Sequence, residues 1–199
     1  MRTSAAAVAA FGLYAVLSHI QPVMAQQGAS LLDAVIETSR NFGVLLAFAT
    51  FLVFGWIAVA RGSSIPVQMV TSLAVSVTLM GFSYHFLFTD LSETHGLPVW
   101  QDELIHTGLT LVVVLWRSLL VPKGGIDFMD LPAYLLLPLL YSVYAQSRGL
   151  FEGVYAYDFM DPRIDGGVTV FLSMIFMACI TIVIGISFIL LSRFANLRP

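Results

Sequence analysis

Two acids and a histidine stand together in Trp100-Gln101-Asp102-Glu103-Leu104-Ile105-His106, at the mouth of the apolar run Leu104 to Val121. On a helix Asp102 lies four residues and Glu103 three before His106, so both share its side of the cylinder. An imidazole oriented by a carboxylate in a dry site is the arrangement that takes a proton from a serine or threonine hydroxyl. A charged group in hydrocarbon costs roughly 2.5 kcal/mol or more, so an ionisable cluster placed there points to function. Two other readings stand beside the general base. His106 can be an interfacial imidazole bonded to Asp102 or to a backbone carbonyl. It can also be a metal ligand, with His85 for a haem or with Asp102 for zinc, although no HExxH-type motif accompanies it.

A nucleophile has to come from elsewhere. Thr50 lies in the middle of a second apolar run, and Thr107 and Thr110 lie beside His106. A threonine in a transmembrane helix commonly bonds its own backbone four residues back, which is the plain alternative for Thr50. Depth matters too. Thr50 is about ten residues into its run, roughly 15 Å down. His106 is shallow if its helix begins at Leu104, so the two meet only if that helix starts nearer Pro98.

The elements that must position these residues are membrane spans. The chain of 199 residues is 58% hydrophobic and only 11% charged, with a mean hydropathy of +0.89. A soluble domain carries about a quarter charged residues, so the solvent here has to be lipid. The single cysteine excludes an internal disulfide and a cysteine zinc cluster. A net charge of −3 without a basic cluster argues against nucleic acid.

Six spans are expected, in one all-α transmembrane domain over the whole chain, at approximately 5–23, 41–60, 67–88, 104–121, 131–145 and 168–191. The first has a second reading as a cleaved signal peptide, because small residues follow near Val23-Met24-Ala25. Ser30 with Asp33 three residues on reads as a capping box opening an amphipathic interfacial helix, Leu31 to Ser39. Arg61-Gly62-Ser63-Ser64-Ile65-Pro66 and Pro122-Lys123-Gly124-Gly125 read as turns. Pro132 and Pro138 suggest a kink in the short fifth span. Thr89 to Val99, with Asp90, Glu93 and His95, and Gln146 to Gly167 read as polar connections, His95 being solvated.

Basic residues set the orientation. Arg2, Arg61, Arg117, Lys123, Arg193 and Arg198 fall on the side of the termini, against Arg40, Arg148 and Arg163 on the other. Both termini are therefore expected in the cytoplasm. His85 then ends one span and His106 begins the next at the outer leaflet, and the connection carrying Tyr155, Tyr157 and Asp158 returns to the same face. That layout suits a site admitting a lipid-like molecule at headgroup depth. For Tyr155 and Tyr157 an ordinary aromatic belt is the competing reading.

Several segments follow in an ordered set: Trp100 to His106, Tyr84-His85, Val121-Pro122-Lys123-Gly124, Pro138-Leu139-Leu140-Tyr141, Arg148-Gly149, and Gly153-Val154-Tyr155-Ala156-Tyr157-Asp158-Phe159-Met160-Asp161. In this order the chain, from about Asn41 to Phe194, resembles bacterial relatives of the androgen-induced protein family, which includes androgen-dependent TFPI-regulating protein. The resemblance implies a six-span fold with cytoplasmic termini. It also implies hydrolysis of esters between fatty acids and hydroxy fatty acids, by a threonine in the second span and a histidine opening the fourth. His106 matches that histidine. The family's threonine falls on Leu46, one turn from Thr50, and its Tyr-Pro-Tyr segment is Tyr155-Ala156-Tyr157 here.

The expected function is therefore a membrane hydrolase of lipid esters, in a bacterial inner membrane. His106 is its base, Asp102 the orienting group and Thr50 the nucleophile, with His85, Tyr155 and Tyr157 binding substrate. The partner is a membrane lipid or acyl ester, and neither metal nor cofactor is required. A non-catalytic lipid-binding or partner protein and a bis-histidine haem protein are the alternatives. Substrate and oligomeric state are not legible in the residues.

Overall fold

Apolar stretches of this length satisfy their backbone polar groups internally only as helices when lipid surrounds them. The computed structural model describes residues 1–60, 65–87 and 99–196, and no strand occurs among them. The turn residues Arg61 to Ser64, the connection from Thr89 to Pro98 with Asp90, Glu93 and His95, and Arg198 lie outside the described residues. The helices are α1 (Arg2–Gln27), α2 (Leu31–Thr38), α3 (Phe42–Val59), α4 (Val67–Phe82), α5 (Val99–Glu103), α6 (Thr110–Leu120), α7 (Leu131–Glu152) and α8 (Pro162–Asn196). A π-helical segment, Ser83–Leu87, extends α4, and a second, Leu104–Leu109, joins α5 to α6 into one rod. Six of these rods are long and apolar enough to cross a membrane.

The molecule is apolar outside as well as inside. Leu115, Leu119, Leu140, Val143, Phe171 and Val183 are exposed on the helix surfaces, where only lipid makes their exposure inexpensive. Gly166–Ala195 has the highest mean hydropathy of the spans, 2.8, yet only 17% of its most apolar stretch is buried. The Val67–Leu87 span is the opposite, 61% buried, because α4 touches α3, α6, α7 and α8 and forms the middle of the bundle.

Helices in lipid gain little from hydrophobic transfer and associate through close packing of small residues. α1 does this against α3. Its buried stripe is Ala5, Val8, Ala9, Ala15 and Val16, and it crosses α3 at Gly12. A Cβ at Gly12 would stand 2.8 Å from the Ala47 carbonyl oxygen and 3.3 Å from Thr50 Cβ. The first apolar run thus packs as a member of the bundle.

The short helix expected after Ser30 is present. Ser30 caps α2 by accepting from the Asp33 backbone N–H at 3.2 Å, and donates to the Asp33 carboxylate at 2.6 Å. Leu31, Leu32, Val35 and Ile36 are exposed, and Arg148 on α7 holds the far end through Ile36 O and Ser39 Oγ.

Two boundaries differ from expectation, and both matter to the site. α7 does not stop at Ala145 but runs to Glu152 and ends on Gly153, at a φ of 72°. Its last turns are polar, and an Arg148–Glu152 pair at 2.8 Å braces them one turn apart. The expected connection from Gln146 to Gly167 therefore shrinks, and α8 begins at Pro162 with a break at Gly166. Likewise the fourth rod is already helical at Val99 rather than Leu104. His106 consequently lies about 10 Å along it.

Candidate functional site

The two π segments meet at one end of the bundle. A π turn inserts a residue and widens the helix, and such turns are frequent at functional sites. Gly81 lets them close together: a Cβ there would lie 2.9 Å from the carbonyl oxygen of His106. Thr110 fastens the same junction by donating to Val77 O at 2.7 Å. The Tyr84 ring then stacks on the His106 ring, with centroids 4.2 Å apart and planes within 7°.

His106 Nδ1 lies 2.9 Å from the backbone oxygen of Asp102. A carbonyl only accepts, so Nδ1 carries the proton and Nε2 keeps its lone pair. Stacking on one side and this bond on the other define the ring's orientation. The atom of Asp102 that meets the imidazole is its backbone oxygen, not the carboxylate expected from the sequence. The spacing explains this: a side chain one turn on reaches the carbonyl four residues back directly.

His106 and Asp102 line a partly open cleft with about 870 Å³ of space between atoms. Asn41 and Phe42 come from the start of α3. Leu79, Met80, Ser83 and Tyr84 come from α4 and its extension, and Pro138, Tyr141 and Ser142 from α7. Tyr157, Phe159, Met160, Met174 and Met177 complete it. Four methionines give the wall an apolar, adaptable surface. The polar residues of the lining are His106, Asp102, Asn41, Ser83, Ser142, Tyr84, Tyr141 and Tyr157.

Thr50 is not at this cleft. It is fully buried at the crossing of α1 and α3, and its hydroxyl donates to Leu46 O at 2.8 Å, one turn back. It lies eight residues along α3 from Phe42, about 12 Å. The stripe Gly43, Leu46, Ala47, Thr50 and Phe54 is the buried face of α3, so Leu46, the family-matched position, is turned inward as well. Thr50 is not among the residues that line the cleft with His106, and its hydroxyl bonds to its own helix.

The hydroxyls that do reach the cleft are Ser83, Ser142 and the phenols. Ser142 donates to Pro138 O at 2.9 Å. Ser83 Oγ has only the Met177 thioether at 3.8 Å, a weak acceptor, and adjoins Tyr84 in the chain. Asn41 caps α3: its Oδ1 accepts from the N–H groups of Gly43 and Val44 at 2.7 and 3.3 Å. That fixes which way the amide points and leaves its NH₂ for a ligand.

Tyr157 lines the cleft and accepts from Phe42 N–H at 3.3 Å. Burial raises its phenol above the usual range, against the lowering effect of that N–H, so it is protonated at neutral pH. Tyr155 is elsewhere, covering Gly149 and lying under Arg163, 5.3 Å from its ring centroid.

His85 is exposed and outside the cleft. Its Nε2 is 2.8 Å from Thr107 Oγ1, and that hydroxyl donates to Glu103 at 2.5 Å. With its proton committed to Glu103, Thr107 accepts from His85. The Tyr84 ring packs against both His85 and His106, which keeps the two imidazoles from facing a common haem. Among the described residues no three His, Cys, Asp or Glu side chains stand close enough to share a metal ion.

Sequence reasoning missed Ser83, Asn41 and the methionines. Only Asn41 carries a local signal, as a cap residue at the start of a span. No family model, curated protein or solved structure matches the chain.

Proposed function

We propose that this protein is a lipid-ester hydrolase of a bacterial inner membrane, with both termini in the cytoplasm and the cleft at the outer leaflet. The observation that carries this reading is the His106 imidazole: Nδ1–H is committed to the Asp102 carbonyl and the ring is stacked on Tyr84, so Nε2 is left as a base in an apolar cleft. Preorganising a base in a dry, lipid-facing site is what acyl transfer to a neutral hydroxyl requires.

The nucleophile in this reading is Ser83, in place of Thr50. Ser83 Oγ attacks the acyl carbonyl carbon and its proton passes to His106 Nε2. The ester C–O bond breaks and the alcohol leaves with that proton. Water then attacks the acyl-serine, giving a proton to Nε2, and the acid departs as Ser83 regains its hydrogen. The Asn41 amide donates to the developing oxyanion in this reading, and the methionine wall takes the acyl chain.

The test is turnover of a fluorogenic long-chain acyl ester by the purified protein in neutral detergent. Ser83→Ala and His106→Ala are expected to lose at least ~100-fold in rate, while Thr50→Val keeps it. Full activity in Ser83→Ala removes that serine from the mechanism, and full activity in His106→Ala ends the reading.

A non-catalytic lipid-binding protein is the second reading. It is favoured by the absence of any threonine among the described residues that line the cleft. Retained lipid without turnover of any acyl ester would support it.

A further inference from the structure

The opposite end of the bundle holds a second unusual group. Arg117, near the end of α6, is 3% exposed, so it does not snorkel out to water as an interfacial arginine ordinarily does. Its Nε donates to Thr71 Oγ1 at 2.6 Å, and Thr71 in turn donates to Val67 O at 2.7 Å. Among the described residues no carboxylate pairs with this guanidinium. The ion pairs there belong to Arg40, Arg148 and Arg163. The C-terminal end of α6 favours a cation, but that effect is small beside the cost of burying an uncompensated charge.

Two neighbours sharpen the point. Tyr134, fully buried on α7, has a hydroxyl without a hydrogen-bond partner and lies within electrostatic reach of Arg117. Lys123, half-buried on the turn after α6, is held below the ordinary lysine range by burial and then by the charge of Arg117. Lys123 is thus within electrostatic reach of Arg117, and among the described residues neither has a salt-bridge partner. The turn is pinned where it is: Ser192 on α8 donates to Lys123 O, and Gln68 to Gly125 O at 2.9 Å. The acids of this end, Asp127 and Asp130, are engaged in capping: Asp130 accepts from the backbone N–H of Asp127, and Asp127 from that of Met129. They limit the net charge but do not neutralise Arg117.

We infer that Arg117, held in place by Thr71, forms with Tyr134 and Lys123 a binding site for a phosphate oxyanion at the end of the bundle that carries the termini. A guanidinium fork takes two oxygens of such a group, a lysine adds a point charge, and a buried phenol supplies one more donor. The same chemistry is offered by a soluble phosphate and by the headgroup of an anionic phospholipid. The inference stands apart from the acyl cleft, which lies at the other end.

The experiment is thermal unfolding of the full chain in neutral detergent, followed by tryptophan fluorescence. It is titrated with inorganic phosphate against equal ionic strength of potassium chloride, and with phosphatidylglycerol against phosphatidylcholine. At about 100 times Kd a specific anion raises Tm by several degrees. A rise with inorganic phosphate assigns the site to soluble phosphate. A rise with phosphatidylglycerol alone assigns it to a lipid headgroup, and phosphatidylcholine corrects for acyl chains entering the cleft. Arg117→Lys should weaken binding about tenfold or more by losing the fork, and Lys123→Gln should weaken it with the fold intact. No anion-specific rise, or an equal rise in Lys123→Gln and Arg117→Lys, overturns the inference.

Discussion

Gly81→Ala is the sharpest probe of how the site is held. A methyl group at Gly81 would lie 2.9 Å from the His106 carbonyl oxygen and 2.9 Å from Thr110 Oγ1. Ordinary contact begins at 3.4 Å, so the segments must part by about 0.5 Å. The carbonyl is main chain and cannot rotate away. Thr110 can, but only by giving up its bond to Val77 O, which in a membrane averages about 0.6 kcal/mol. Overpacking of this kind costs roughly 1–3 kcal/mol. Alanine also favours a helix over glycine by up to about 1 kcal/mol, which would blur a single measurement. Gly55 on α3 supplies the control, because a Cβ there meets nothing within 4 Å. The propensity gain is common to Gly81→Ala and Gly55→Ala, so their difference isolates the packing term, about 1–3 kcal/mol. Equilibrium unfolding in mixed micelles, read by tryptophan fluorescence, measures it. A difference under about 0.5 kcal/mol, the range of uninvolved surface sites, would refute the close approach of α4 to the histidine-bearing segment.

Other expectations follow from the same contacts. Gly149→Ala puts a methyl 2.3 Å from the Tyr155 ring and should destabilise by about 1–3 kcal/mol; Tyr155→Ala in the same chain should recover most of the loss in a double-mutant cycle. Arg148 joins Ile36 O, Ser39 Oγ, the Tyr144 hydroxyl and Glu152, so Arg148→Lys should release α2, seen as faster hydrogen exchange over Leu31–Thr38. Arg163 beside Asp161 holds that carboxyl below its ordinary value of 3.8. Because the folded form is the more acidic one, this stabilisation is present above that value and is lost as pH falls through the lowered one. Asp161→Asn should abolish that part of the acid sensitivity in unfolding curves below about pH 4.

How much of this was legible in the residues depends on what each feature needs. The spans needed only length and apolarity, and the α2 cap only Ser30 and Asp33, so both could be read directly. The extension of α7 was missed because Gln146, Arg148 and Glu152 look like a polar connection, although the pair spacing of Arg148 and Glu152 is helical. The π segments leave no compositional mark: they depend on how α4 and the fourth rod meet at Gly81. The sequence singles out His106, which lines the cleft, but it does not single out Ser83, the hydroxyl that lines the same cleft. Thr50 and Ser83 are both plain alcohols in apolar runs. Only the crossing of α1 and α3 at Gly12 turns Thr50 away, and only the convergence of α4, α7 and α8 opens a cleft beside Ser83.

The central claim is that the Ser83 hydroxyl is the group activated by His106. Reacting the purified protein with a long-chain fluorophosphonate and mapping the adduct by tandem mass spectrometry tests it directly. The account predicts a single adduct on the peptide containing Ser83, absent when His106 is replaced by alanine. An adduct on Thr50, or one on Ser83 that forms equally fast without the imidazole, contradicts it.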